Sequence, residues 1–308
     1  MGEFPMNGEG KQYPKDHWLL SDDPEKVLEA YLDQQSKVYS QVKNAFIREL
    51  LGDLKGKRFL DYGCGAGFFS VHAARAGAAE VVGVDALDSA LSAASVFARN
   101  EGVHNICNFV KSSQFPLGSQ RRRFDVILIK DVIEHVENDQ VFLEAVSQAT
   151  VPGGTLVLST QNRLSLNFLI QGTYHRNFLK DKNWFGWDET HLRFYTPMSL
   201  NNKLKKAGFS IVAWRSVYLI PHKLPTLPSS RKKFLRLDTL SWIDRILGGV
   251  FPYNRLGWNV IVKAMASTAV SQKIPVSPVI SKQVAVTPLF VARESVPLEQ
   301  QASTARPC

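Results

Sequence analysis

The 308-residue sequence predicts a doubly wound α/β domain on a mostly parallel, seven-stranded sheet. Seven short runs rich in Val, Ile, Leu and Phe recur between residues 57 and 264, most of them apolar on both faces, as strands covered on each side must be. Helical segments separate most of these runs. Directly behind the first run, FLDYGCGAGFF (59–69) places three glycines between a strand and a helix, where a ligand can lie against bare backbone.

In order, residues 1–20 read as a flexible tail, and the domain proper as 21–264. Ser21-Asp22-Asp23-Pro24 is a helix start, because Ser or Asp caps and Pro fits the first turn. The segment after it carries apolar residues at helical spacing and predicts one or two amphipathic helices. KRFLDY is the first strand and GFFSVHAARAGA its helix; EVVGVD is the second strand, followed by the helix ALDSALSAASVFARNEG. NICNFV, FDVILIK and GTLVLST are three more strands, with NDQVFLEAVSQAT as the helix before the last. The connection 161–197 is too long for a turn and reads as one cap insertion, and 221–254 as a second. Between them lie the helix MSLNNKLKKAG and the strand FSIVAWRSVYLI; RLGWNVIVKA is the last strand. Residues 265–308 are rich in Ser, Pro, Gln and Val without a period and read as disordered.

Composition narrows the partners. Cys64, Cys107 and Cys308 share no CxxC spacing, which argues against a zinc site or a disulfide framework and for a reducing, cytoplasmic setting. No run of 18 apolar residues suggests a membrane span. The formal charge is +9, and 201–263 holds twelve Lys or Arg against only Asp238 and Asp244. Such a face meets anionic lipid, a phosphorylated substrate, nucleic acid or simply water. Within it, 231–247 reads as a helix with Leu235, Leu240, Trp242, Ile243, Ile246 and Leu247 on one side, which suits a lid, a packing helix or peripheral contact with an anionic membrane. No RNA-binding module signature is visible, so nucleic acid is not the expected partner.

Glycine spacing separates the cofactors that use such a crevice. A dinucleotide fingerprint needs its third glycine at position 68, which is Phe68; the chain has Gly63, Gly65 and Gly67 instead, behind Asp61. This D-x-G-x-G-x-G run, with Cys64 inside it, resembles the first motif of class I S-adenosylmethionine-dependent methyltransferases. The resemblance implies that Rossmann-like fold and that cofactor. S-adenosylmethionine has no pyrophosphate; it carries a sulfonium and an ammonium, which the Asp61 carboxylate would attract. Asp85 ends the second strand with Ala86 behind it, and accepts the ribose hydroxyls in one reading or caps a helix in the other. Where the family has an acidic residue near the adenine this chain has Ser112 and Ser113, and Lys130 at the end of the fourth strand completes the cofactor set.

Lys130-Asp131-Val132-Ile133-Glu134-His135-Val136 and PGGTLVLSTQNR resemble the branch that contains the ubiquinone-biosynthesis O-methyltransferases. In those relatives an acidic-x-x-Glu-His arrangement is associated with Mg²⁺, which implies Asp131, Glu134 and His135 as ligands here; the plain alternative is that Glu134 and His135 cap the next helix. Thr190-His191 matches a Thr-His pair of the same branch, which makes His191, with His135 as second candidate, the base that removes a hydroxyl proton. Trp184, Phe185, Trp187, Phe194 and Tyr195 would wall an apolar or aromatic acceptor or pack into the core. The function expected is methyl transfer to a small molecule at oxygen, with nitrogen or carbon acceptors open. Its rivals are a nicotinamide oxidoreductase, disfavoured by the spacing, and a non-catalytic cofactor-binding or RNA-associated scaffold.

Overall fold

The computed structural model describes residues 18–111, 124–182, 184, 186, 191–220, 223–225, 234–236 and 238–268. The tail expectations for 1–17 and 269–308, and those for Ser112 and Ser113, lie outside these residues; Trp18–Leu20 form a short 3-10 turn, and the last strand runs on to Ala266, so the domain extends past the expected 21–264 at both ends. Asp23 caps α1 (Pro24–Ser36), accepting the Glu25 and Lys26 N–H groups at 3.0 and 3.3 Å, with Pro24 in the first turn. The chain bends at Lys37 and continues as α2 (Val38–Leu51).

Strand β1 (Arg58–Tyr62) leads into α3 (Phe68–Arg75), β2 (Glu80–Asp85) into α4 (Asp88–Asn100), and β3 (Cys107–Lys111) follows. Next come β4 (Phe124–Lys130), α5 (Asp139–Ala149), β5 (Thr150–Gln161), α6 (Leu166–Thr173), α7 (Pro197–Lys206) and β6 (Phe209–Val217). The main sheet closes with β9 (Asn259–Ala266), giving the order β3-β2-β1-β4-β5-β9-β6. All neighbours are parallel except β9, which runs antiparallel to β5 and β6.

Alternation along the strands fills both faces. Phe59, Val126, Leu128, Val157 and Ile261 pack under α2 and α3, while Leu60, Ile127, Ile129, Leu156 and Leu158 pack against α5 and α7. The chain order reverses between β1 and β4, so their carboxyl ends part and leave the crevice where such sheets bind ligands.

Three elements depart from the sequence expectation. β5 starts at Thr150, with no break after α5, and absorbs the Pro152-Gly153-Gly154 turn as a register shift opposite Phe124 and Val126. β6 stops at Val217, because Tyr218 takes a left-handed φ of 61° and the buried Asp244 carboxylate accepts its N–H and that of Leu219. The basic 231–247 segment is not one helix. Phe234–Arg236 (β8) pairs antiparallel with Lys223–Pro225 (β7), and only Ser241–Leu247 (α8) is helical. Leu235 therefore leaves the expected helical face, and Asp244 is the buried residue of α8 while Trp242 and Ile246 stay exposed. Backbone pairing and one buried carboxylate outweigh a weak amphipathic pattern.

Candidate functional site

On the β1 side of the crevice, Gly63, Gly65 and Gly67 all have positive φ, at 77°, 52° and 80°. An added Cβ would meet Val132 at 2.3 Å, Tyr31 at 2.9 Å and Ala94 at 2.9 Å respectively, so the turn admits only glycine. Cys64 is buried and its N–H bonds to the Val84 carbonyl, so its side chain packs beneath the loop. Asp85 accepts the Gly65 N–H at 2.9 Å and the Leu87 N–H at 3.1 Å, which locks the glycine turn to the end of β2; Ala86 sits half-buried in that turn. Asp61 is buried, accepts the Ser70 hydroxyl at 2.8 Å, and has its pKa pushed up to about 6 by burial.

The β4 side splits the Asp131, Glu134, His135 set that the sequence joined. Asp131 takes φ 55° and turns toward β5 and β9, accepting the Ser159 hydroxyl at 3.0 Å and the Asn259 amide at 3.1 Å, and pairs with the buried Lys43 ammonium. Burial alone would raise its pKa; the Lys43 and Lys130 charges outweigh that and hold it well below the usual carboxylate range. Glu134 and His135 lie in the short turn Ile133–His135 and face another way, toward His191. The ligand atoms of Glu134, His135 and His191 lie within 4.8 Å of one another, and the two imidazole centroids are 4.7 Å apart. His191 is held there because the Leu192 N–H bonds to the Glu134 carbonyl and the Arg193 guanidinium to the carbonyls of Val136 and Glu137.

Glu134 is fully buried, with one oxygen accepting the Thr160 hydroxyl at 2.8 Å and the other without a hydrogen bond among the described residues. Burial first, and the Asp131 charge second, raise its pKa. A carboxyl that holds its proton longer when folded makes the native state bind more protons, so stability falls as pH rises above the ordinary value of 4.5. In urea titrations across that range Glu134→Gln is expected to flatten the slope; an unchanged slope would contradict a raised Glu134.

Two imidazoles and one carboxylate fit Mg²⁺ poorly, since that ion takes oxygen ligands in an octahedral shell, and Asp131 is occupied by Lys43. Among the described residues the Asp131, Glu134, His135 set is not brought together: Asp131 turns to Lys43, and Glu134 and His135 meet His191. Nor do Glu134 and His135 cap α5: Asn138 does, accepting the Val141 N–H at 3.3 Å.

The N-terminal helices supply what the sequence reading missed. Tyr31, Gln35, Tyr39 and Lys43, at four-residue intervals, all reach the carboxyl edge of the sheet. Tyr31 lies over Gly65, Gln35 meets Lys130 at 3.3 Å, Tyr39 stacks on Tyr218 at 3.6 Å, and Lys43 pairs with Asp131. The available signal was a four-residue spacing within each helix, Tyr31 with Gln35 on α1 and Tyr39 with Lys43 on α2. The aromatic connection divides. Trp184 and Phe194 join Phe168, Tyr218 and Trp258 in a buried cluster, and Tyr195 is a core residue that donates to Asp139 at 2.8 Å. Phe185, Trp187 and Thr190 lie outside the described residues.

Comparison with known proteins gives a match to the family model of a methyltransferase domain over residues 34–213. The chain is 31% identical over 189 residues to a ubiquinone biosynthesis O-methyltransferase of Cereibacter sphaeroides, covering 60% of this chain and 73% of that one. It is 32% identical over 160 residues to the mitochondrial ubiquinone biosynthesis O-methyltransferase of Arabidopsis thaliana, covering 51% of this chain and 48% of the other, about half that relative's length. In fold it is similar to a Haloferax volcanii methyltransferase solved with its Trm112 activator, with a TM-score of 0.54, 12% identity, and 80% of this chain and 99% of that one covered. The cyclase SpnF shares the fold at a TM-score of 0.50 and 18% identity, over 74% of this chain and 81% of its own. Identities this low speak to the fold alone.

Proposed function

This chain belongs to the methyltransferase-domain family, an S-adenosylmethionine-dependent methyltransferase by its matches, and from that premise we propose that it methylates a hydroxyl oxygen on a small aromatic or lipophilic acceptor. The observation that carries the oxygen assignment is the Glu134, His135, His191 cluster beside the crevice. Methyl transfer from a sulfonium is an in-line displacement. The acceptor oxygen forms the new bond to the methyl carbon, the carbon–sulfur bond breaks with its electron pair returning to sulfur, and the hydroxyl proton must leave to a base. His191 is the proposed base, and His135, packed against its ring, would orient it. The relatives named as O-methyltransferases support the same acceptor class.

On the cofactor side, the glycine turn would receive the nucleoside and Asp85 the ribose hydroxyls. Asp85→Ala is expected to weaken binding of S-adenosylhomocysteine by about 30-fold, the loss of charged hydrogen bonds, measured by calorimetry; unchanged affinity would remove Asp85 from the ribose site. The reading as a whole is tested by incubating the chain with methyl-labelled cofactor and paired hydroxylated and aminated benzenes carrying alkyl tails. Label on oxygen is the expected outcome, and label on nitrogen or carbon overturns the assignment.

A further inference from the structure

Every second residue from His191 to Tyr195 turns to one neighbour. His191 packs on His135, the Arg193 guanidinium donates to the carbonyls of Val136 and Glu137 at 2.6 and 2.7 Å, and the Tyr195 hydroxyl donates to Asp139 at 2.8 Å. Phe194 packs on the aromatic cluster instead, and Leu192 is 41% exposed. Alternate side chains of an extended chain point opposite ways, so these three anchors lay one edge of the segment along residues 133–139.

Asp139 joins the elements that meet there. It opens α5, where a helix N-terminus favours a carboxylate, and it is 6% exposed. Lys203 of α7 donates to it at 2.8 Å, and the Arg193 guanidinium lies 3.3 Å away. Burial alone would raise the Asp139 pKa; the Lys203 and Tyr195 hydrogen bonds and the Arg193 charge outweigh that and lower it. A guanidinium that donates to two carbonyls and faces a buried carboxylate is fixed in direction as well as place. None of these partners takes part in the methyl transfer proposed above.

We propose that Arg193, anchored on Asp139, is a positioning residue that sets the distance and angle of the His191 imidazole to the acceptor hydroxyl. The inference rests on the reading of His191 as the base and deepens it. His191 lies on a connection rather than on a strand or helix, and a base misplaced by about 1 Å loses on the order of 100-fold in rate.

Arg193→Met is therefore expected to lower kcat about 100-fold on the hydroxybenzene that the natural chain methylates best. Calorimetry should find its affinity for S-adenosylhomocysteine unchanged, since no partner of Arg193 belongs to the glycine turn. Arg193→Lys keeps the charge without the fork, and its kcat is expected to fall between those of Arg193→Met and the natural chain. A double-mutant cycle separates positioning from packing. If Arg193 acts through His191, adding Arg193→Met to His191→Asn lowers kcat by no more than about threefold, whereas independent losses multiply. Near-natural kcat in Arg193→Met, or losses that multiply, overturns the inference and leaves His191 as the base. Should Arg193→Met not bind S-adenosylhomocysteine, Arg193→Lys decides by the same cycle. A natural chain that labels no hydroxybenzene, or near-natural kcat in His191→Asn, overturns the proposed reaction and the inference with it.

Discussion

His191→Asn is expected to lower kcat by about 100- to 10,000-fold, the usual contribution of a positioned base, while the affinity for S-adenosylhomocysteine stays as it was. The separation follows from where the residue sits. His191 lies in the connection ahead of α7 and touches His135 and Phe194, whereas the glycine turn is built from β1, β2 and α1. The pH profile distinguishes a base from a packing residue. Without its base the variant depends on acceptor that has ionised unaided, so its rate is expected to climb about tenfold per pH unit until the acceptor's own pKa. A variant with nearly natural kcat, or with cofactor affinity falling in step, would remove His191 from proton transfer. The labelled hydroxybenzene that reacts best with the natural chain serves as acceptor.

Lys43→Met is expected to cost about 3–5 kcal/mol of folding stability, as breaking one side of a buried ion pair does. Lys43 is 2% exposed at its side chain, and Asp131 30%. Removing the cation leaves Asp131 charged against Ser159 and Asn259 and beside the buried Glu134. The denaturant midpoint reports the loss, and Lys43→Met with Asp131→Asn is expected to recover most of it, because neither half of the pair is then left charged without the other. Acid titration gives an independent sign. Asp131 has a folded pKa below its unfolded value, so the stability it contributes is present above the ordinary 3.8 and is lost as pH falls through that range. In Lys43→Met this acid-range loss should shrink. A single variant as stable as the natural chain would mean the pair contributes nothing.

The glycine turn and its link to Asp85 were legible in sequence because they are local. Asp61 through Gly67 are seven consecutive residues whose left-handed turn needs glycine, and Asp85 ends the next strand, so strand and turn signals alone bring them together. The arrangement after β4 was only partly legible. Asp131, Glu134 and His135 are near neighbours in the chain, yet one left-handed residue at Asp131 sends its carboxylate to Lys43 and leaves Glu134 to Thr160 and His191. Tyr31, Gln35, Tyr39 and Lys43 escaped notice for a related reason: a polar helical stripe looks the same in sequence whether it faces water or a cleft.

By itself, then, the sequence determined the alternation of strands and helices and the bare glycine turn behind β1, both set by short-range sterics and hydrophobic period. The tertiary structure alone decided which charges meet. It paired Lys43 with Asp131 across 88 positions, placed His191 against His135, set Gln35 beside Lys130, and cut the basic 231–247 segment into strand and helix. Electrostatic partners are chosen by distance in space and by the cost of leaving a buried charge alone, and neither is written in the spacing of residues along a chain.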